Sequence, residues 1–228
     1  MDIRPRRLTG EILDIKDLIL FLSVPPSDAE RNPIYQWEGY AGTGILLNNE
    51  GYVLTTSHSV HDRPVEKATI SLSAMPFWGV SPFNGIRVVE DLEDYELAII
   101  QTSFKSSMMR IKPKIPQTFN YSHGTSLKLI TSRYMRESIA DDGTITSNDK
   151  YNLLKPRHED TFRTSHLVTW GDSGSPVFTH DYGELVGIAF GKTKGGVTVG
   201  EDFPPQFGYA VCTKLANPDV SARLGKYL

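Results

Sequence analysis

Cysteine is almost absent from this sequence. A single cysteine, Cys212, occurs among 228 residues, so the chain cannot form an internal disulfide. Because secreted enzymes of this size commonly carry disulfides, we expect a cytoplasmic or otherwise intracellular protein rather than a secreted one. The alternating apolar context of the residue, GYAVCTKL, predicts a buried structural thiol.

Long apolar runs and an excess of positive charge are also missing. The run DLILFLSV is far shorter than a membrane span requires, and an aspartate begins it. No small-residue cleavage site follows, so we expect neither a membrane segment nor a signal peptide. The net charge is −3, without a broad basic field, so we expect no nucleic-acid partner. The oligomeric state is left open by the sequence.

Short apolar runs, separated by Gly, Asn, Asp and Pro, fill most of the chain. Many of them alternate with period two and are rich in Val, Ile, Thr, Tyr and Phe, which is typical of β-strands. The strings NNEG (48–51) and HDYGE (180–184) join such runs and predict hairpin turns. The tail NPDVSARLGKYL predicts a short helix, with Asn217 as its cap and Pro218 in its first turn. These patterns predict an all-β sandwich or barrel with a short C-terminal helix.

The segment FKSSMMRIKPKIPQT, residues 104–118, breaks this strand rhythm. It is basic, contains two prolines, and separates two strand-rich halves of similar length. This division favours two barrels. We therefore divide the chain into an N-terminal segment with a first β-barrel (1–105), a connector (106–118), and a second β-barrel with the terminal helix (119–228).

The string GDSGSP places Ser173 between two glycines. A serine hydroxyl is a weak nucleophile until a base takes its proton, and attack on a carbonyl needs donors for the oxyanion. Glycine on both sides lets backbone N–H groups point the same way, so Gly171 and Ser173 are the candidate oxyanion donors. The nucleophile elbow of α/β-hydrolases has a similar string but opens a helix, whereas a predicted strand hairpin follows Pro176 here.

His58 has the most informative setting of the six histidines. It ends the string GTGILLNNEGYVLTTSH, which predicts a strand, a turn and a second strand. Such a position suits a general base. His61 follows three residues later, but no Cys/His cluster accompanies the pair, and we expect neither a metal nor another cofactor.

Taken together, these segments resemble the chymotrypsin-fold, trypsin-like serine peptidases, most closely in the style of the HtrA-type and glutamyl-endopeptidase-like branches. GTGILLNNEGYVLTTSHSV is similar to the segment around their catalytic histidine, GDSGSPVF to their serine motif, and ELVGIAFG to a strand of their substrate cleft. The resemblance spans roughly residues 18–215 and implies two six-stranded antiparallel Greek-key β-barrels. It further implies an endopeptidase that cleaves polypeptides through an acyl-enzyme, with Ser173 as nucleophile and His58 as base. We expect no PDZ domain of the kind that accompanies HtrA enzymes.

The third member of the implied triad departs from the family pattern. The family carries its acid in a strand of the form Asp-Leu-Ala-Leu-Leu, and the matching string ELAII begins with Glu96. A glutamate can orient the histidine, but its extra methylene requires the strand or the histidine loop to shift. Asp94 would share a face with Glu96 in an extended strand and is the main alternative, with Asp91 a weaker one. A third option is that no effective acid is present.

The resemblance also implies the place of the primary specificity pocket. The position of the trypsin pocket floor falls near Leu167, so no acid is present to pair with Arg or Lys, and we expect an apolar pocket for small or medium hydrophobic residues. The backbone of residues 189–191 would pair with an extended substrate. The candidate substrate-binding residues are His166, Leu167, Thr169, Ala189, Phe190 and Gly191.

Asp172 bears on activation. In the zymogen-activated members of the family, the matching aspartate pairs with an N-terminal amine that cleavage creates. No basic residue followed by an Ile-Val-Gly-Gly-like start occurs here, so Asp172 must find another partner, be protonated or lie exposed. We therefore expect activity without cleavage.

Two functions are alternatives to the endopeptidase. One is a weak or inactive pseudoprotease that captures peptides, which the glutamate at position 96 favours, and the other is an esterase that uses the same triad.

Overall fold

A computed structural model of the chain describes residues 11–12, 14–24, 40–61, 63, 65, 69–72, 86–102, 108–109, 111–132, 139–147, 158–193 and 207–228. The regular structure in these ranges is β-strand, several 3-10 turns and one short α-helix. No helix in these ranges is long and apolar enough to span a lipid bilayer.

The strands of the first half lie mainly in one antiparallel sheet. The strands are β1 (Glu11–Ile12), β2 (Ile19–Val24), β3 (Tyr40–Leu46), β4 (Tyr52–Thr55), β5 (Thr69–Leu72), β6 (Arg87–Leu92), β7 (Leu97–Gln101) and β8 (Met108–Met109). Six of them form a sheet in the order β5-β2-β3-β4-β7-β6, and β1 pairs in parallel with β8. Residues 73–85, which connect the two edge strands, lie outside the described residues, so closure of this sheet into a first barrel stays a prediction.

The strands of the second half form a closed barrel. They are β9 (Ser126–Thr131), β10 (Ile139–Ser147), β11 (Thr161–Val168), β12 (Pro176–Thr179), β13 (Leu185–Lys192) and β14 (Gly208–Lys214). The barrel closes in the order β10-β11-β14-β13-β12-β9, with antiparallel pairing throughout. The mostly-β architecture with one closed barrel is therefore confirmed, whereas the Greek-key description of both halves and the domain boundaries stay predictions.

Both predicted hairpin turns form. Residues 48–51 connect β3 to β4, and Gly51 has a φ of 84°, a left-handed conformation that glycine adopts without steric cost. Residues 180–184 connect β12 to β13, and Asp181 accepts a hydrogen bond of 3.0 Å from the N–H of Gly183. The Asn, Asp and Gly residues of these two segments were therefore sufficient to predict both turns.

The C-terminal helix α1 (Pro218–Leu224) has the predicted cap. The side chain of Asn217 accepts hydrogen bonds from the N–H groups of Asp219 at 2.8 Å and Val220 at 3.3 Å. The helix docks on the first half, because Arg223 Nη1 lies 3.1 Å from Oε1 of Glu90 on β6.

Apolar side chains from both halves meet in one buried cluster. Leu54 and Ile99 of the first sheet lie in this cluster with Phe178 and Ile188 of the second barrel. A smaller cluster fills the second barrel and contains Cys212, which is fully buried, as its sequence context predicted. Burial raises the pKa of this thiol, so it acts as a small apolar side chain in the core.

Candidate active site

The serine motif forms a tight turn between β11 and β12. Gly171 and Gly174 have φ values of 91° and 88°, which fall in the left-handed region that favours glycine. A Cβ atom on Gly174 would lie 1.7 Å from the carbonyl oxygen of Thr43 on β3. The N–H of Thr43 in turn donates to the carbonyl oxygen of Ser173 at 2.7 Å. The turn therefore rests directly on the first sheet, and glycine is the residue that fits at position 174.

Asp172 is buried and hydrogen-bonded inside this turn, with 1% of its surface exposed. The backbone N–H of Thr169 donates to its Oδ2 atom at 2.8 Å, and the hydroxyl of Thr131 on β9 donates to its Oδ1 atom. Of the options that the sequence left open, the structure thus shows the one in which the carboxylate has other protein partners. These donors offset the desolvation of a buried charge.

The two candidate oxyanion donors remain available in the turn. The N–H groups of Asp172, Gly174 and Ser175 donate to backbone carbonyls of the turn and of β13. Within the described part of the chain, the N–H groups of Gly171 and Ser173 donate to no protein acceptor. Two available backbone donors beside the serine are what an oxyanion site requires.

His58 lies in a 3-10 turn, Ser57–Ser59, immediately after β4. Its Nδ1 atom is 2.9 Å from Oε2 of Glu96, and its backbone N–H lies 3.4 Å from the same oxygen. The side chains of His58 and Glu96 are 34% and 23% exposed. A carboxylate at this distance accepts a hydrogen bond from Nδ1–H, which leaves the Nε2 atom of the neutral ring as the base.

Glu96 reaches the histidine through an unusual backbone conformation. It ends the 3-10 turn Glu93–Tyr95 with φ 55° and ψ 33°, in the left-handed region that few non-glycine residues adopt. The extended strand that would place Asp94 and Glu96 on one face is therefore not formed, and that expectation was wrong. Asp91, the weaker alternative, contacts Ser57 and His61, with oxygen atoms 2.6 Å and 2.7 Å from their side chains.

The serine and the histidine line the same cleft, which has a volume of about 220 Å³. Its other lining residues are Val168, Thr169, Trp170, Asp172, Ala189, Phe190, Gly191 and Lys192. The hydroxyl of Ser173 makes no hydrogen bond within the described part of the chain, so it is not hydrogen-bonded to His58 in this structure. Such contacts are often long without substrate and tighten when it binds.

Two candidate substrate-binding residues do not line this cleft. His166 is 2% exposed, and its Nδ1 and Nε2 atoms lie 2.8 Å from Oγ1 of Thr164 and 3.1 Å from the carbonyl oxygen of Asp141. Its ring covers Gly143 on β10, where an added Cβ would lie 2.7 Å from Nε2. Burial lowers the pKa of His166, which favours the neutral ring. Leu167 points to the opposite side of β11 and is 38% exposed.

The sequence also matches a known family of proteins. The model of the trypsin-like peptidase domain matches residues 42–188, which run from β3 into β13 and include His58, Glu96 and Ser173. The chain belongs to this family. The protein is therefore a serine protease of the trypsin-like peptidase type.

Solved protease structures share the fold of this peptidase at low sequence identity. The MamO protease domain of Magnetospirillum magneticum superposes with a TM-score of 0.63 at 16% identity, covering 94% of this chain and 97% of that one. The active form of the Rv3671c protease of M. tuberculosis gives 0.62 at 18% identity, covering 93% and 82%. The HtrA-type protease AlgW with a tripeptide gives 0.63 at 15% identity, covering 92% of this chain and 60% of that one. No curated protein matches the sequence.

Three residues that line the cleft, Val168, Trp170 and Lys192, were not among the named candidate substrate-binding residues. Trp170 is 81% exposed, and the Nζ atom of Lys192 lies 5.9 Å from the centroid of its ring, a cation–π contact. Trp170 stands directly before the GDSGSP string, and Lys192 directly follows Gly191, so adjacency to the predicted cleft residues was the available signal. Among the described residues, no group of three or more His, Cys, Asp or Glu side chains is placed to hold a metal ion.

Proposed function

We propose that this peptidase is an endopeptidase with Ser173 as nucleophile, His58 as general base and Glu96 as the acid that orients His58. The observation that carries the proposal is the 2.9 Å separation between Nδ1 of His58 and Oε2 of Glu96, in a cleft that Ser173 also lines. The family membership supports peptide-bond hydrolysis, and the assignment of the acid depends on this distance.

In the proposed reaction, Oγ of Ser173 attacks the peptide carbonyl while Nε2 of His58 takes the hydroxyl proton. The N–H groups of Gly171 and Ser173 donate to the oxyanion of the tetrahedral intermediate. The imidazolium then gives its proton to the leaving amine, which departs and leaves an acyl-enzyme. A water molecule attacks this ester after His58 removes its proton, and the proton returns to Oγ of Ser173 as the product acid leaves.

We also propose that the enzyme needs no proteolytic activation. In zymogen-activated relatives, the matching aspartate requires a new N-terminal amine. Here the carboxylate of Asp172 already has donors from Thr131 and Thr169 inside the folded chain. Charge-assisted hydrogen bonds to neutral donors stabilise a buried carboxylate without a cationic partner, so the serine turn can form before any cleavage.

The proposed substrate is a polypeptide with a small or medium hydrophobic side chain before the scissile bond. Val168, Ala189 and Phe190 give the cleft an apolar wall. A Cβ built on Gly191 meets no atom within 4 Å among the described residues, so the space beside its backbone is open. An extended substrate segment can therefore pair with the backbone of β13 at this point.

The second candidate function is a pseudoprotease that binds peptides without cleaving them. The hydroxyl of Ser173, which makes no hydrogen bond within the described ranges, is the observation in its favour. A glutamate in the acid position adds to it. In this case the same cleft would hold an extended peptide by backbone pairing alone.

A cleavage assay with a peptide library separates the two functions. The wild-type protein should cleave after hydrophobic residues, and the Ser173→Ala variant, folded according to circular dichroism, should not. Peptide binding by both proteins without any cleavage by the wild type would establish the pseudoprotease. Turnover of simple esters without turnover of any peptide would point to an esterase instead.

A further inference from the structure

Asp91 lies beside the histidine turn because of the register of three neighbouring strands. On β7, Ala98 pairs with Thr55 of β4 on one side and with Asp91 of β6 on the other. The chain leaves β4 at Thr55 and enters the His58 turn within two residues. The pairing therefore brings the carboxylate of Asp91 to the point where the turn begins.

The carboxylate of Asp91 holds the turn on both sides of the histidine. Oδ1 accepts a hydrogen bond from the hydroxyl of Ser57 at 2.6 Å, and Oδ2 lies 2.7 Å from Nδ1 of His61. Ser57 is 2% exposed, and the Asp91 side chain is 26% exposed. One partner precedes His58 by one residue and the other follows it by three, so a single carboxylate spans the turn.

Other contacts also hold the turn, because the N–H of Ser57 donates to the carbonyl oxygen of Glu96 at 3.2 Å and Nε of Arg63 donates to the carbonyl oxygen of His58 at 3.1 Å. The side chain of Thr56 makes no N-cap hydrogen bond to this single 3-10 turn, but its hydroxyl is hydrogen-bonded to the hydroxyl of Ser59. The backbone nitrogen of His58 lies 3.4 Å from Oε2 of Glu96, which is a long hydrogen bond. A glutamate has one more rotatable bond than an aspartate, so its carboxylate alone fixes the distance to the ring less firmly.

We propose that Asp91 is a positioning residue, which together with Ser57 and His61 forms a clamp that holds His58 within reach of Glu96. The clamp touches no reacting atom and acts through the position of the imidazole ring. This inference rests on the proposed role of His58 as general base. Glu96 sets the tautomer of the ring, and the Asp91 clamp sets where the ring lies.

The test compares Asp91→Ala and Asp91→Asn with a matched control, Asp142→Asn. Asp142 on β10 is also shared by two groups, with Lys128 at 2.6 Å and His180 at 3.3 Å, but it lies in the second barrel. End-point labelling with a fluorophosphonate counts competent sites, and peptide turnover is then expressed per labelled site. This normalisation removes any loss that comes from a smaller folded fraction.

We expect Asp91→Ala to lower kcat per labelled site by about tenfold and to leave KM unchanged. A tenfold loss corresponds to the free energy that one hydrogen bond to a charged group contributes. Asp91→Asn keeps an acceptor for the hydroxyl of Ser57, so it should fall between wild type and Asp91→Ala. Asp142→Asn should match the wild type. A clamp also predicts non-additivity: Ser57→Ala combined with Asp91→Ala should lose little more than Asp91→Ala alone.

A second readout is independent of turnover. The proton on Nδ1 of His58, hydrogen-bonded to a carboxylate, should give a downfield proton NMR signal, identified by its loss in His58→Ala, that weakens or broadens in Asp91→Ala and persists in Asp142→Asn. If kcat and this signal in Asp91→Ala equal those of the wild type, the clamp is refuted. If the wild-type protein does not react with the fluorophosphonate, the proposed function fails, and the NMR comparison still decides whether Asp91 positions the ring.

Discussion

Replacing Glu96 with glutamine removes the charge that faces His58 while keeping the length of the side chain. The contact at 2.9 Å joins a carboxylate to Nδ1, and hydrogen bonds to charged groups contribute about 1.5–3 kcal/mol, or roughly 10- to 150-fold in rate. An amide N–H that faces Nδ1 would also select the wrong tautomer, and in chymotrypsin-type enzymes that change costs about 10⁴ in kcat. Since Glu96 is 23% exposed, we expect a loss between about 10² and 10⁴ in kcat, with KM unchanged.

The companion variant Glu96→Asp tests the geometry of this contact. It withdraws the carboxylate by about 1.5 Å, one C–C bond, which turns the 2.9 Å contact into a gap of about 4.4 Å, too long for a hydrogen bond. We therefore expect its kcat to fall too, although it restores the usual aspartate of the family. The assay is steady-state hydrolysis of a peptide identified from the library, with Asp94→Asn as the control that should keep wild-type activity. Wild-type kcat in Glu96→Gln, or a loss confined to Asp94→Asn, would refute this assignment.

Three further predictions concern the serine turn and the second barrel. Gly174→Ala should abolish fluorophosphonate labelling, because its Cβ would lie 1.7 Å from the carbonyl oxygen of Thr43; normal labelling would contradict this. Thr131→Val removes a donor to the buried Asp172 and should lower the free energy of unfolding by about 1–3 kcal/mol in urea titrations, whereas an unchanged midpoint would mean that this donor is dispensable. Burial lowers the pKa of His166 below its ordinary 6.5, so the unfolded chain takes up this proton first as the pH falls. The free energy of unfolding should therefore decrease below about pH 6.5, and His166→Gln should flatten that part of the stability profile; equal slopes for the two proteins would exclude the effect.

Features set by short-range chemistry were predictable from the sequence. The turn at residues 48–51 and the cap of α1 follow from the conformational preferences of Asn, Gly and Pro, and both form as predicted. The glycines around Ser173 marked a turn with exposed N–H groups for the same reason. The match between ELAII and the acid strand of the family pointed to Glu96, which does lie against His58.

Features that depend on the register between strands and on the burial of a side chain were not predictable from the sequence. The contacts of Asp91 depend on which residues of β4, β6 and β7 lie side by side, and no local pattern encodes that pairing. The position of His166 depends on alternation along β11, which turns the ring towards Gly143 inside the barrel and leaves Leu167 outside. The left-handed backbone at Glu96 was hidden as well, because such conformations are rare outside glycine and depend on tertiary contacts.

The central claim is that His58 and Glu96 activate Ser173 for attack on a carbonyl. The most direct test is to treat the wild type, His58→Ala and Glu96→Gln with a fluorophosphonate and to map the modified residue by mass spectrometry. The account predicts rapid modification of Ser173 alone in the wild type, at least about 10²-fold slower modification in Glu96→Gln, and none in His58→Ala on the same time scale. A folded wild-type protein without an adduct on Ser173, or equal rates in all three proteins, would contradict it.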